Sequence, residues 1–370
     1  MNSMAIDRRR LLLGTVSLIA ARPAFALAEV AGPEIAFASA ARRGDDVFSL
    51  LLLSADGRIV RELPLSARGH DVALHAASGR AVVFARRPGT FAVAFETTST
   101  SQPVIFNAHD GRHFYGHGSF STDGRLLYVS ENDIAGARGV IGIYDVDRGY
   151  IKIGEHPSHG LGPHEIVMLT DGRTLAVANG GLDTVPEAGR ENLNVGVMEP
   201  SLTFVDSQTG ALIAKYLLPA ELNRLSIRHI ALDAAGLVWF GAQWEGAQSE
   251  TPQLIGSAGR DRVLKLIAAP ASGQLELKGY IGSMSASRDG SIIAASAPKA
   301  GRVVYVDAAT GLIRAESLLK DACGIAGEYD DTFAATSGFG VLRHEHAGSS
   351  VISETQLADV AFDNHLRRVG

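Results

Sequence analysis

The chain has 370 residues, is 46% hydrophobic and 20% charged, and carries a formal net charge of −6. That balance is ordinary for a soluble globular protein, and without a basic cluster beyond the first residues it supplies no electrostatic footprint for nucleic acid. A single cysteine, Cys323, excludes an intramolecular disulfide, a Cys-x-x-Cys-His haem attachment and a thiolate zinc cluster.

In chain order, the first element is Asp7-Arg8-Arg9-Arg10-Leu11-Leu12-Leu13-Gly14, a paired-arginine segment running into an apolar stretch through Ile19, with small residues at Ala24 to Ala28. This reads as a twin-arginine export signal over residues 1–28, which predicts a periplasmic mature protein. Arg22 and Pro23 cut the apolar run too short for a membrane span, so no stable membrane insertion is expected once the signal is removed. Residues 29–370 contain no low-complexity linker and are read as one domain.

Short β-rich runs separated by Gly-bearing turns then follow one another. Three of them, Ile35 to Ser39, Val47 to Leu53 and Ile59 to Leu63, precede His70. Four-strand sets start at Gly69-His70-Asp71-Val72, Gly116-His117-Gly118-Ser119, Pro163-His164-Glu165-Ile166 and Arg228-His229-Ile230-Ala231, and two more start near Ser283 and Cys323. The first three histidines are 47 residues apart, and each leads to a Gly-Arg turn, at Gly79, Gly124 and Gly172. A strand repeat of this length marks a β-propeller. The C-terminal Ala358 to Phe362 is a spare strand, and pairing it with the three N-terminal strands completes a seventh blade and removes exposed edges. The predicted fold is therefore all-β, a seven-bladed β-propeller closed by its N- and C-terminal strands.

The first strand of each propeller blade lines the central channel, so His70, His117, His164 and His229 should converge at one mouth as metal ligands. His365 joins them if the C-terminal strand is innermost. Insertions at Glu131 to Arg138, Asn179 to Pro200 and Gln243 to Arg260 should wall that mouth. Of their polar groups, Glu131, Arg138, Arg190, Asn194 and Glu199 are the expected ligand-binding set. Imidazole suits iron, copper and zinc alike, so a metal ion of one of these kinds is the expected occupant. The same ring could instead hold an anion or haem propionates, or solvate a channel. Glu131, Asp133, Glu165 and Glu199 offer a Ca²⁺ alternative of the lactonase kind, with a histidine as general base. No Gly-x-Ser-x-Gly nucleophile elbow is present. His113, His156 and His159 are placed as an outer shell, and His75, His344 and His346 at the surface.

Several phrases carry a resemblance: Gly111-Arg112-His113-Phe114-Tyr115-Gly116-His117-Gly118, Ser130-Glu131-Asn132-Asp133, Gly162-Pro163-His164-Glu165, Ala178-Asn179-Gly180-Gly181, Met198-Glu199-Pro200-Ser201 and Ser226-Ile227-Arg228-His229. Together the chain resembles an uncharacterised family of exported bacterial propellers, commonly encoded beside imelysin-like periplasmic iron-uptake proteins and a dihaem-type oxidoreductase. The resemblance implies a role in periplasmic iron acquisition, with iron-uptake proteins as partners, and the leading reading is a non-catalytic propeller that binds a metal ion or metal complex at the histidine-lined mouth. A metal-dependent hydrolase, an oxidoreductase subunit and a protein-interaction scaffold are the competing readings.

Overall fold

The computed structural model describes residues 34–87, 89–184, 194–267 and 276–370. Among them the backbone forms seven antiparallel sheets. Numbering blades from the first four-stranded sheet, blade 1 spans Gly69–Asn107, blade 2 Arg112–Pro157, blade 3 Pro163–Leu217, blade 4 Leu225–Leu266, blade 5 Ser283–Leu318 and blade 6 Ala322–Gln356. Blade 7 joins the chain's two ends: the C-terminal strands Val360–Phe362 and Arg367–Arg368 pair with Phe37–Arg43, which pairs with Val47–Leu53 and then Ile59–Leu65. The seven-bladed propeller closed by its termini is thus the fold.

Burial follows position in the blade. Second and third strands such as Thr174–Asn179, Ser201–Asp206 and Thr332–Ser337 are buried at every residue, because neighbouring blades cover both of their faces. The outermost strand Ile313–Leu318 alternates half-buried and exposed, as a sheet edge facing water must. Hence the sequence shows continuous apolar runs in mid-blade and alternation at the rim.

The core is a set of interblade seams. Phe84 and Phe106 of blade 1 meet Phe114 and Tyr144 of blade 2, Tyr305 of blade 5 meets Phe333 of blade 6, and Leu51 and Phe362 of blade 7 meet Ala334 and Leu342 of blade 6. The tight turn from first to second strand needs a left-handed residue, supplied by Gly124 (φ 69°) in blade 2 and Gly290 (φ 69°) in blade 5.

Two of the three expected insertions, those at Glu131 and Gln243, are shorter than expected. Glu131–Asp133 and Arg138 belong to paired strands, with Arg138 opposite Asp133, leaving a turn at Ile134–Ala137 that Asp133 caps through the Gly136 amide. Gln243 and Trp244 likewise end a strand, pairing with Ser226 and Leu225. The polar, Gly-containing composition suggested loops, but each segment has a strand partner for its backbone groups.

Truncation before Val360 should unseat the closure. It strips Val360, Phe362 and Leu366 from the core, at about 1.5–3 kcal/mol each, and leaves Phe37–Arg43 as a bare edge. Circular-dichroism melting should show a large fall in Tm or loss of the cooperative transition; an unchanged melt would refute closure by this strand.

Candidate functional site

Each channel histidine sits at an irregularity of its inner strand. The pairing register skips between Gly69 and Val72, between Phe114 and Gly118, between Pro163 and Glu165, and between Ile227 and His229. His70, His117 and His164 fall inside their skips and His229 ends its own. A bulge lets a strand turn a side chain off the sheet's alternation, and these four turn imidazoles toward the axis. Gly116 makes room for one of them, since a Cβ there would lie 2.7 Å from the His70 ring. The fifth, His365, comes from the segment between the two C-terminal strands.

The five rings form a closed circuit. Centroids are 4.8 Å apart for His70–His117, His117–His164, His164–His229 and His229–His365, and 4.6 Å for His365–His70. All five are buried, His164 being the most exposed at 8%. Two triads of ring nitrogens, His70–His117–His365 and His117–His164–His229, each fit within 4.8 Å and share His117. Such a set can hold a metal ion. Blade 6 repeats the bulge between Ala322 and Ile325, but Cys323 stands there, with burial raising its thiol pKa; blade 5 is regular from Ser283 to Ala286.

Carboxylates fix the ring orientations by a blade-to-next-blade rule. Asp363 of blade 7 bonds His70 Nδ1 of blade 1 at 2.9 Å, Asp71 of blade 1 bonds His117 Nδ1 of blade 2 at 2.9 Å, and Glu165 of blade 3 reaches His229 Nδ1 of blade 4 at 3.3 Å. Blade 2 has Gly118 where its neighbours have Asp71 and Glu165, so His164 receives no such partner. A carboxylate at Nδ1 places the proton there and leaves Nε2 as a lone pair. Correspondingly His117 Nε2, His229 Nε2, His365 Nε2 and His164 Nδ1 are buried without a hydrogen-bond partner. An unanswered buried polar atom costs about 1–3 kcal/mol, and a metal ion held by these nitrogens would answer it.

Guanidinium groups match the carboxylates. Arg367 donates to Asp71 at 2.7 and 2.6 Å and to Glu165 at 2.8 Å, while Asp363 accepts from Arg68 at 2.6 Å and Arg86 at 2.7 Å. Burial works to raise the three acids, but these arginines outweigh it: Glu165 is held down at about 2, and Asp71 and Asp363 well below the usual carboxylate range. For the histidines burial wins, lowering His70 to about 3, His229 to about 4, and His164 and His365 well below the ordinary imidazole value. Those four are therefore neutral at pH 7 and available as donors to a cation.

This layer divides the channel. On the side where the inner strands begin, a narrow pocket reaches His70, His164 and His229. On the other, a funnel of about 700 Å³ ends on Asp71, Glu165 and Arg367.

A family model described as "Protein of unknown function (DUF1513)" matches residues 63–369. The chain belongs to the DUF1513 family. Comparison with curated proteins gives no match. Among solved structures, hydrazine synthase of Kuenenia stuttgartiensis is similar, at 14% identity and a TM-score of 0.59, over 85% of this chain and 90% of that one. At that identity the likeness shows the fold alone.

In this DUF1513 propeller His70, His117, His164 and His229 come together and His365 joins them. The polar set expected beside them does not. Glu131 is turned into its own blade, accepting from Tyr144 Oη at 2.6 Å and Lys152 Nζ at 2.8 Å. Arg138 pairs with Asp133 and Glu155 at the surface, Glu199 pairs with Lys215, and Asn194 braces its own loop through the Asp183 amide and the Gly181 carbonyl. Arg190 lies outside the described residues, as does the segment read as an export signal. The inward direction of Glu131 follows from strand alternation once 126–133 is a strand rather than a loop. His113 is fully buried against Phe114 and Thr184, and His344 is tied to Glu328.

Sequence reasoning passed over Asp71, Asp363, Arg367 and Arg86. A signal existed for three of them: Asp363 and Arg367 flank His365 at alternate positions, and Asp71 stands beside a channel histidine. Asp71 directly follows His70 as Glu165 follows His164.

Two outcomes follow for metal-free protein. Unfolded imidazoles take up protons near pH 6.5, whereas folded His70 and His229 wait until about 3 and 4. Stability should therefore fall as pH drops from 7 to 5, by up to about 1.4 kcal/mol per pH unit for each such histidine below pH 6.5, before the carboxylates begin to titrate. A flat urea midpoint between pH 7 and 5 would contradict this. Arg367→Gln strands Asp71 and Glu165 and should cost about 3–5 kcal/mol in urea unfolding.

Proposed function

We propose that this protein is a metal-binding propeller whose histidine circuit holds one divalent transition-metal ion, iron in its physiological setting, and that it serves iron acquisition in the periplasm without itself catalysing a reaction. One observation carries the metal reading: four buried ring nitrogens with no partner converge on the axis, three of the five imidazoles being oriented by carboxylates. Hydrogen-bonded imidazole with a carboxylate behind it is the recurrent outer-shell arrangement of metal-ligating histidine. Neutral nitrogen donors suit Fe(II), Cu, Ni and Zn and disfavour Ca²⁺ and Mg²⁺, which require oxygen.

The triad nitrogens lie within 4.8 Å of one another, whereas nitrogens bound at about 2.1 Å to one tetrahedral ion are about 3.4 Å apart. Metal binding therefore requires the rings to move inward by up to about 0.8 Å each. The acids that a Ca²⁺-dependent lactonase-like site would need are held by cations instead: Glu131 by Lys152, Asp133 by Arg138, Glu165 by Arg367 and Glu199 by Lys215. Iron and the periplasm rest on the resemblance to exported propellers encoded beside iron-uptake proteins, with those proteins as partners.

Elemental analysis of natively exported protein should find about one transition-metal ion per chain, and the His117→Ala/His164→Ala double variant should lose it while keeping the propeller's circular-dichroism spectrum. Equal, negligible metal in both would refute the centre. For the physiological half, a strain lacking the protein should accumulate less radiolabelled iron under iron limitation; unchanged accumulation would refute the uptake role.

A further inference from the structure

The charges around the histidines leave a divalent ion uncompensated. Asp71, Glu165 and Asp363 are the carboxylates touching the circuit, and three arginines already balance them in total, Arg367 shared by Asp71 and Glu165, and Arg86 and Arg68 both on Asp363. Because the low dielectric of a buried site magnifies unpaired charge, a divalent ion bound to neutral imidazoles requires an anion from outside.

A place for it lies directly against the rings. The narrow pocket on the side where the inner strands begin is lined by Arg86, Arg87 and Arg228 together with Tyr115, Tyr280 and Asn364, and opens onto His70, His164 and His229. Among the described residues no carboxylate lines it. The acid that pairs with Arg228 is Glu245, at 3.0 Å, and Asp363 holds Arg86, so both guanidinium groups are fixed in place rather than swinging free. Buried guanidinium forks match planar oxyanions bidentately. The free volume, about 20 Å³, admits one or two water-sized groups, which excludes a bulky ligand head.

We infer that this arginine-lined pocket binds a small planar oxyanion of the carboxylate class, which enters the metal's coordination shell from the pocket side as a co-ligand. The inference rests on the metal reading above and adds the identity of the missing ligand. Metal and anion then bind cooperatively, each tightening the other by the same factor, since coupling between two sites is reciprocal.

The test uses the full mature chain with Co(II) as the metal probe, titrated in carboxylate-free, carbonate-free HEPES and again with sodium formate or sodium bicarbonate. Either anion should tighten Co(II) binding by about tenfold or more and shift the visible d–d bands, and Co(II) should tighten formate binding by the same factor. The two arms separate organic carboxylate from inorganic carbonate as the source. Arg228→Gln should abolish the enhancement; should that variant fail to fold, Arg87→Gln is read in its place. Co(II) that binds equally with and without both anions, with unchanged bands, overturns the inference and leaves the metal centre standing. An enhancement that survives the arginine substitution also overturns it, because the anion would then bind elsewhere. Absence of Co(II) binding under every condition overturns the metal reading and this inference with it.

Discussion

Closure of the ring by the C-terminal segment is the constraint on which the rest depends. In pairing with Phe37–Arg43, that segment contributes more than a strand. It delivers Asp363 to His70, His365 to the circuit and Arg367 to both Asp71 and Glu165. Ser39 and Ala40 hold it through the His365 carbonyl at 2.6 Å and the Asp363 amide at 2.8 Å. One stretch of chain thus both latches the propeller and completes the polar layer across its channel, so folding and site assembly are a single event.

The polar layer survives burial because its charges are matched and burial keeps His70, His164, His229 and His365 uncharged. Three carboxylates buried without partners would be intolerable in a propeller axis, and each has a guanidinium group. Those four imidazoles escape the same penalty by remaining neutral, and unpartnered ring nitrogens are left at the axis. That residual mismatch does not extend to the surrounding seams, which are filled by aromatic pairs such as Phe106 with Tyr150 and show the usual economy of a folded core.

Much of this was legible in sequence. Spacing of histidines and Gly-Arg turns exposed the blade repeat, since each repeat must rebuild the same turn and the same inner strand. It also gave four of the five circuit members, because equivalent positions on neighbouring blades meet at the axis. The polar set around Glu131 was misplaced for a local reason: a Glu-Asn-Asp run with a following glycine has loop composition, and only the pairing of Arg138 with Asp133 makes it a strand end that turns Glu131 toward Lys152.

The sequence by itself determined that short strands recur with the blade period, that histidines recur within four inner strands, and that one cysteine excludes a thiolate cluster. These are properties of residue type and spacing, which act locally. Only the tertiary structure decided which side chains meet: that His365 closes the circuit from the far end of the chain, that each acid serves the histidine of the next blade, and that Arg367 neutralises acids from blades 1 and 3. Those contacts join residues separated by up to hundreds of positions, and they exist because bulged strands and ring closure bring them to one axis, where burial and the neighbouring charges act on their protonation.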